Sequence, residues 1–191
     1  MKSFLLFAIL FVFLLKSVDG KQSIIKLGEA LPAFTLCKQD GKVINEKDLL
    51  GKVIVMNFIF TRCAIPTLCP SSTQKMSLLQ KRVLKDALDK EVYFVTLSFD
   101  PTFDSPEVLA QYAQAYNIDL ANYGFLTGDP HLIKDLMHTF GVYILSKNGT
   151  VNHTMKTLVF DKKGKLIYET IKKDWQPEEV LKVIKKNLNH E

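Results

Sequence analysis

The stretch NFIFTRCAIPTLCP, residues 57 to 70, closes a strongly apolar run with two cysteines that are separated by five residues including a proline. Thiol-disulfide exchange, metal ligation and a structural disulfide all use such a pair. The first two need thiolate, which the unpaired N–H groups and dipole at a helix N-terminus favour. At about 100° per residue, positions i and i+6 lie about 120° apart around a helix axis, against about 40° for i and i+4. Cys63 and Cys69 therefore cannot converge from a regular helix, and Pro66 resists one between them. The spacing predicts an irregular loop over residues 63 to 69 in which both sulfurs can meet.

No second close pair of ligands completes a four-coordinate zinc site. Two thiolates with one imidazole would instead make a soft, low-coordinate site suited to copper, above all cuprous ion. The chain offers four histidines. His131 and His138 fall on the expected helix DPHLIKDLMHTF, where a polar-face histidine is ordinary. His190 is next to the last residue. His153, in GTVNHTMKTLVF, is expected in a turn just before an apolar strand, on a connection that faces the cysteine loop in a thioredoxin-like fold. It is the best-placed third ligand. Met155 could add a thioether from the same side, although a strand methionine ordinarily packs in the core.

These residues need a frame. FTLCKQDGKVI reads as two short strands around Asp40-Gly41, with Cys37 as a small half-buried hydrophobe apart from the pair. Lys52 to Phe60 is apolar nearly throughout, as expected of a strand buried on both faces. Met76, Leu79, Val83, Leu84 and Leu88 recur at helical spacing, so a helix from Ser71 to about Leu88 follows the loop. Val92 to Phe99 is the next buried strand, and strand, helix, strand in that order implies a right-handed parallel crossover. The cysteines then lie beyond the carboxyl end of a strand, where sites gather in open α/β sheets. Ser105-Pro106 and Asp129-Pro130 each open a helix, the first to about Tyr116 and the second to about Phe140. A hairpin over Asp161 to Gly164 and a helix in QPEEVLKVIKKNL close the chain. The fold expected is an α/β thioredoxin-like three-layer sandwich with an N-terminal β-hairpin extension, over residues 21–191.

Residues 1–20 have Lys2, an apolar stretch from Phe4 to Leu15, Lys16 and a small-residue end at Gly20. That layout is a secretory signal, with an uncleaved anchor as the alternative; the apolar stretch is short against the roughly 20 residues that span a bilayer. Either places the domain in the periplasm or an equivalent extracytoplasmic space, with membrane contact only through that segment. Three cysteines there allow one disulfide and one free thiol. The 191 residues, 47% of them hydrophobic, suffice for one domain with a real core. The formal net charge is +5, but aromatic and basic residues do not interleave in a nucleic-acid pattern, and the lysines near the end form a solvated helix face.

Taken together, LGEALPAFTLCKQDGKVINEKDLLGKVIVMNFIFTRC, the following LCP, LSFDPTFDSPEVLAQYA and VNHTMKTLVFDKKGKL resemble the Sco/SenC family of exported, thioredoxin-like copper proteins, over most of residues 27 to 170. The resemblance implies a copper chaperone or thiol reductase serving the binuclear copper centre of cytochrome c oxidase. Its client would be the copper-bearing subunit of that enzyme or another copper or thiol protein. Carried onto this chain, it implies Cys63 and Cys69 as redox pair and thiolate ligands and His153 as imidazole ligand, for Cu(I) and also Cu(II). Asp100 and Asp104 match the family's acidic loop, where they serve either electrostatics or the shape of the turn before Pro106. The chain departs from the family in one respect: the usual loop has three residues between the cysteines, here there are five. The competing reading is a thiol-disulfide oxidoreductase without stable copper, against which stand the absence of CxxC and of a proline where Asn152 and His153 lie. A peroxiredoxin-type peroxidase lacks its expected Pro and Thr before the cysteine, and an inert disulfide domain would have no use for His153 opposite the loop.

Overall fold

The computed structural model describes residues 23–147 and 150–189. The expected signal or anchor over residues 1–20 and His190 lie outside them. Among the described residues no helix is long and apolar enough to cross a membrane.

The strand Val53–Ile59 (β3) is buried at every position, and its side chains alternate between two cores. Val53, Val55 and Ile59 enter one, with Met76, Leu79 and Val83. Ile54, Met56 and Phe58 enter the other, with Ile133, Leu136 and Phe140. This is the period of two that a strand imposes, and it explains why the run reads as continuously apolar. The full sheet has seven strands, adding β1 (Thr35–Lys38), β2 (Val43–Asn45), β4 (Val92–Ser98), β5 (Tyr123–Thr127), β8 (Thr157–Phe160) and β9 (Leu166–Thr170). Their order is β2-β1-β5-β4-β3-β8-β9. β3, β4 and β5 run parallel, and β8 is antiparallel to β3. The helices α1 (Cys69–Lys85), α2 (Pro106–Ala115) and α4 (Pro177–Leu188) send Met76, Leu109 and Ile184 into the first core. The helix α3 (Pro130–Thr139) covers the other face with the segment around Ile25, Leu31 and Phe34. The result is the three-layer thioredoxin-like sandwich expected, with the β1-β2 hairpin added beside β5 through Cys37 and Thr127.

The turn chemistry is local and follows the sequence. Ser105 accepts a hydrogen bond from the Val108 N–H, and Asp129 accepts from His131 and Leu132, so each caps a helix whose first residue is proline.

Three elements differ from the sequence expectation. The strand β5 was not anticipated: it is five residues long with Gly124 at its second position, and its apolar character rests on Tyr123 and Phe125, whose rings stack at 4.9 Å. The helix α1 begins at Cys69 rather than Ser71 and ends at Lys85 rather than near Leu88. Pro70 starts a helix readily because it donates nothing to the first turn, and Ala87, at φ 56°, turns the chain out of the helix. Finally, His153 does not lie in a turn. It is the last residue of β7 (Thr150–His153), which pairs with β6 (Ile144–Lys147) as a separate two-stranded sheet between α3 and β8.

Candidate metal centre

The loop from Cys63 to Cys69 brings its ends together through a succession of tight turns. The Cys63 N–H donates to the Phe60 carbonyl at 3.3 Å, and the Leu68 N–H to that of Ile65 at 3.0 Å. The Ser71 and Ser72 N–H groups then donate to the carbonyls of Pro66 and Leu68, which joins the loop to the first turn of α1. Five intervening residues thus fold back instead of splaying the sulfurs apart. Cys69 is carried by the helix rather than by the loop, and Leu68 is buried in the core behind it.

Below Cys69 a polar network fixes the start of α1 to the sheet. Asn57, buried in β3, donates through Nδ2 to Ser72 Oγ at 3.0 Å, while its Oδ1 accepts from Thr96 Oγ1 at 2.6 Å. Thr96 Oγ1 also lies 2.6 Å from the Tyr123 hydroxyl. Each group has a partner, so the network is rigid rather than costly.

The acidic residues act on the other side of the loop. Asp104 is fully buried; its carboxylate accepts from the Thr61 N–H at 3.1 Å, Thr61 Oγ1 at 2.5 Å and Ser98 Oγ at 2.5 Å. It joins the segment before Cys63 to the end of β4, which is the turn-shaping role. Asp100 instead pairs with Arg62 at 2.6 Å, and the Arg62 guanidinium lies over the Phe103 ring at 4.2 Å.

The donor atoms of Cys63, Cys69 and His153 all lie within 4.8 Å of one another. Cys63 is 8% exposed, Cys69 0% and His153 6%, so the cluster is nearly dry. His153 Nδ1 donates to the Thr154 carbonyl at 3.2 Å. That hydrogen bond places the proton on Nδ1 and leaves the Nε2 lone pair directed at Cys69 Sγ, 3.1 Å away. Two aromatic rings wall the imidazole: Phe99 at 4.8 Å between centroids and Phe60 edge-on at 6.2 Å.

Burial disfavours the charged forms of Cys69 and His153. Burial pushes the Cys69 thiol well above its ordinary pKa; a backbone hydrogen bond from Phe60 opposes the shift and the neighbouring Cys63 adds to it. Burial also holds the His153 pKa below the usual imidazole value, with Lys173 acting in the same direction against the Thr154 hydrogen bond. The thiolate stabilisation expected from the helix start is therefore outweighed by desolvation in this state. A soft cation entering the cluster would take the place of the thiol protons, so the donor set fits a soft metal.

His131 and His138 are exposed on α3 and are not members of this cluster. Met155 is buried in the core. Cys37 is half-buried on β1, with Sγ donating to the Lys38 carbonyl at 3.5 Å; all three cysteines are free thiols. Sequence reasoning did not find Phe60 and Phe99, because aromatics at the ends of apolar strands read as core. It also missed the Asn57 network, whose signal is a single amide within an otherwise apolar run.

The SCO1/SenC family signature matches residues 25–189. The chain belongs to the SCO1/SenC family. It is 33% identical to a SCO2-like protein of Rickettsia typhi over 150 residues, covering 75% of this chain and 69% of that one. It is 36% identical to the SCO1 protein homolog of Bacillus subtilis over 120 residues, covering 63% and 60%. Among solved structures, the SCO1/SenC family lipoprotein of Bacillus anthracis superposes with TM-score 0.76 at 32% identity, covering 87% of this chain and 99% of that one. Copper-bound ScoI of Bradyrhizobium japonicum superposes with TM-score 0.69 at 27% identity, covering 83% and 99%. BsSco, described as a Sco-family cytochrome c oxidase assembly protein with a disulfide switch, gives TM-score 0.74 at 26% identity, covering 87% and 98%.

Proposed function

We propose that this SCO1/SenC protein is an exported copper chaperone and thiol reductase that serves assembly of the binuclear copper centre of cytochrome c oxidase. The observation that carries the reading is the convergence of two thiols and one imidazole lone pair in a nearly dry cluster. Copper is the cargo: Cys63 and Cys69 hold it as thiolates and His153 through Nε2, in the cuprous state first and in the cupric state as well. The copper-bound relative and the assembly role of BsSco support the choice of metal and client. The N-terminal twenty residues act as the export signal or anchor, which places the work in the periplasm or an equivalent compartment.

The same pair supports a second task. Cys63 and Cys69 are both thiols at close range, so they can reduce a client disulfide: a Cys63–Cys69 disulfide forms, the client S–S bond breaks, and the electron pair leaves on the client's thiols. Cys63, the more exposed sulfur, is the attacking one.

Cuprous titration of the reduced protein against a competing chelator, with the ligands read by X-ray absorption, tests the reading. One ion per chain on two sulfurs and one nitrogen is expected. Cys63→Ser or Cys69→Ser should abolish tight binding, because a neutral hydroxyl is a hard donor. His153→Ala should weaken it while leaving the dithiol-disulfide couple intact. If His153→Ala bound copper like the wild type and Cys63→Ser alone destroyed activity on a disulfide client, the oxidoreductase reading would stand in its place.

A further inference from the structure

The chain enters the folded domain beside the metal centre. Ile24 lies against Gly141, so closely that a methyl group on Gly141 would come within 2.9 Å of its Cγ2. The next residue is pinned as well: the Ile25 N–H donates to the carbonyl of Thr139, the last residue of α3, at 2.8 Å. Gly141 stands three residues before Ile144 on β6, and Ile144 is the register partner of His153. Three residues span at most about 10 Å and paired strands lie about 5 Å apart, so the backbone at Gly141 is within about 15 Å of that of the histidine.

The same stretch leaves apolar side chains in water. Ile24, Tyr143 and Ile144 are 38%, 50% and 42% exposed. Tyr143 and Ile144 line one groove with Met137, Val142 and Phe99, so this apolar surface is continuous with the ring that walls the imidazole. Charge does not choose what covers it, because exposed Lys26 and Lys134 are matched on the same two segments by exposed Glu29 and Asp135. The sequence ahead of the domain does choose. Phe4 to Leu15 is apolar, and Ser23 follows Leu15 by eight residues, at most about 28 Å of chain. Retained as an anchor, that stretch holds the bilayer within reach of the exposed face and at high effective concentration. A tyrosine among isoleucines suits the boundary between lipid headgroups and acyl chains.

We propose that Ile24, Tyr143 and Ile144 form a membrane-contact face of the folded domain, which seats on the bilayer that holds the N-terminal segment and keeps the metal centre close to the lipid surface. The proposal rests on the reading of residues 1–20 as an anchor and goes beyond it: the tether limits how far the domain strays, and the face decides which side it shows to lipid. The contact is apolar, so it forms on zwitterionic lipid and survives added salt. The helices α2 and α4, which cover the other face of the sheet, are turned to water.

The test uses the full chain, 15N-labelled, reduced and metal-free, in phosphatidylcholine nanodiscs in which a small share of the lipid carries a gadolinium chelate on its headgroup. The amides of Ile24, Gly141, Tyr143 and Ile144 should broaden first. Val43 is the control: it is 67% exposed on the edge strand β2, and since its neighbour Ile44 packs in the core beneath α3, it faces away from that helix and should stay sharp. The Tyr143→Ser/Ile144→Ser double variant should lose about threefold of the relaxation enhancement at Gly141, whereas Lys26→Gln/Lys134→Gln should keep it. Inserting about a dozen Gly and Ser residues after Gly20 lengthens the tether and should leave the same amides the most broadened. The wild-type pattern and this insertion decide the matter even where the double variant fails to fold. Even broadening over the whole domain, strongest broadening at Val43, loss of selectivity on insertion, or a folded double variant that broadens like the wild type would overturn the proposal. So would concentration-dependent shifts of Tyr143 and Ile144 without lipid, which would give the face to a second copy of the chain. Flotation with phosphatidylcholine vesicles reads the anchor separately: a full chain that stays behind removes the anchor and the proposal together, whereas a chain that floats yet broadens evenly removes the proposal and leaves the anchor.

Discussion

Asp104 shows how much of the centre depends on a residue that touches no sulfur. Its buried carboxylate takes hydrogen bonds from the Thr61 N–H, Thr61 Oγ1 and Ser98 Oγ, so it fixes the chain two residues before Cys63. Asp104→Ala would leave those buried donors without a partner, which costs about 1–3 kcal/mol for a single group and more for several. We expect a loss of about 3 kcal/mol in urea unfolding, with Asp104→Asn recovering part of it because an amide oxygen still accepts. Phe99 works by contact instead. Phe99→Ala would open one wall of the imidazole's enclosure, and it should lower copper affinity less than His153→Ala does, since the Nδ1 hydrogen bond to Thr154 still sets the tautomer. Competition titration of the two variants side by side gives that order or reverses it.

At the scale of the element, α1 is the device that places Cys69, and its two ends make opposite predictions. Its start is held by Asn57 through Ser72. Asn57→Leu keeps the γ-branched shape but strands Ser72 Oγ and frees one side of Thr96, so it should destabilise by about 2–4 kcal/mol. Its end turns at Ala87, a non-glycine residue at φ 56°. A Cβ is disfavoured there, so Ala87→Gly should stabilise the protein by up to about 1 kcal/mol, read as a higher urea midpoint with unchanged slope. The legibility of the elements follows the same physics. The strands β3 and β4 and the helices α2, α3 and α4 were plain because buried runs, caps and prolines are local signals. The strand β5 was hidden because Gly124 interrupts the pattern and its partners on either side, β4 and β1, are remote in sequence. The β6-β7 hairpin was missed although its signal is local, an apolar run from Val142 to Leu145 followed by the turn dipeptide Asn148-Gly149, so the histidine was read as a residue and the strand that carries it was overlooked. Cys69 was legible as half of a pair, whereas its place on the helix depends on Pro70 and on the buried Asn57, which nothing local announces.

Across the whole molecule, the sheet is covered on both faces and the β1-β2 hairpin extends its β5 edge. The first described residue to enter the core is Ile25, whose N–H donates to the Thr139 carbonyl at 2.8 Å. Deleting residues 1–20 should therefore leave a soluble, folded domain with an unchanged melting temperature; aggregation of the truncated chain where the full chain stays folded would show that the segment packs into the domain. The centre itself spans the chain. Cys69 and His153 are 84 positions apart, and the histidine arrives on a hairpin that follows α3, after five of the seven strands of the main sheet have passed. During synthesis the two cysteines emerge long before their third partner, and a chain stalled or cut anywhere ahead of β7 has only a flexible dithiol to offer. On the proposed copper reading, full-strength capture would thereby be reserved for finished molecules, and an ion held by all three donors would tie the first half of the polypeptide to the second, stabilising the complete fold by mass action and no shorter fragment of it.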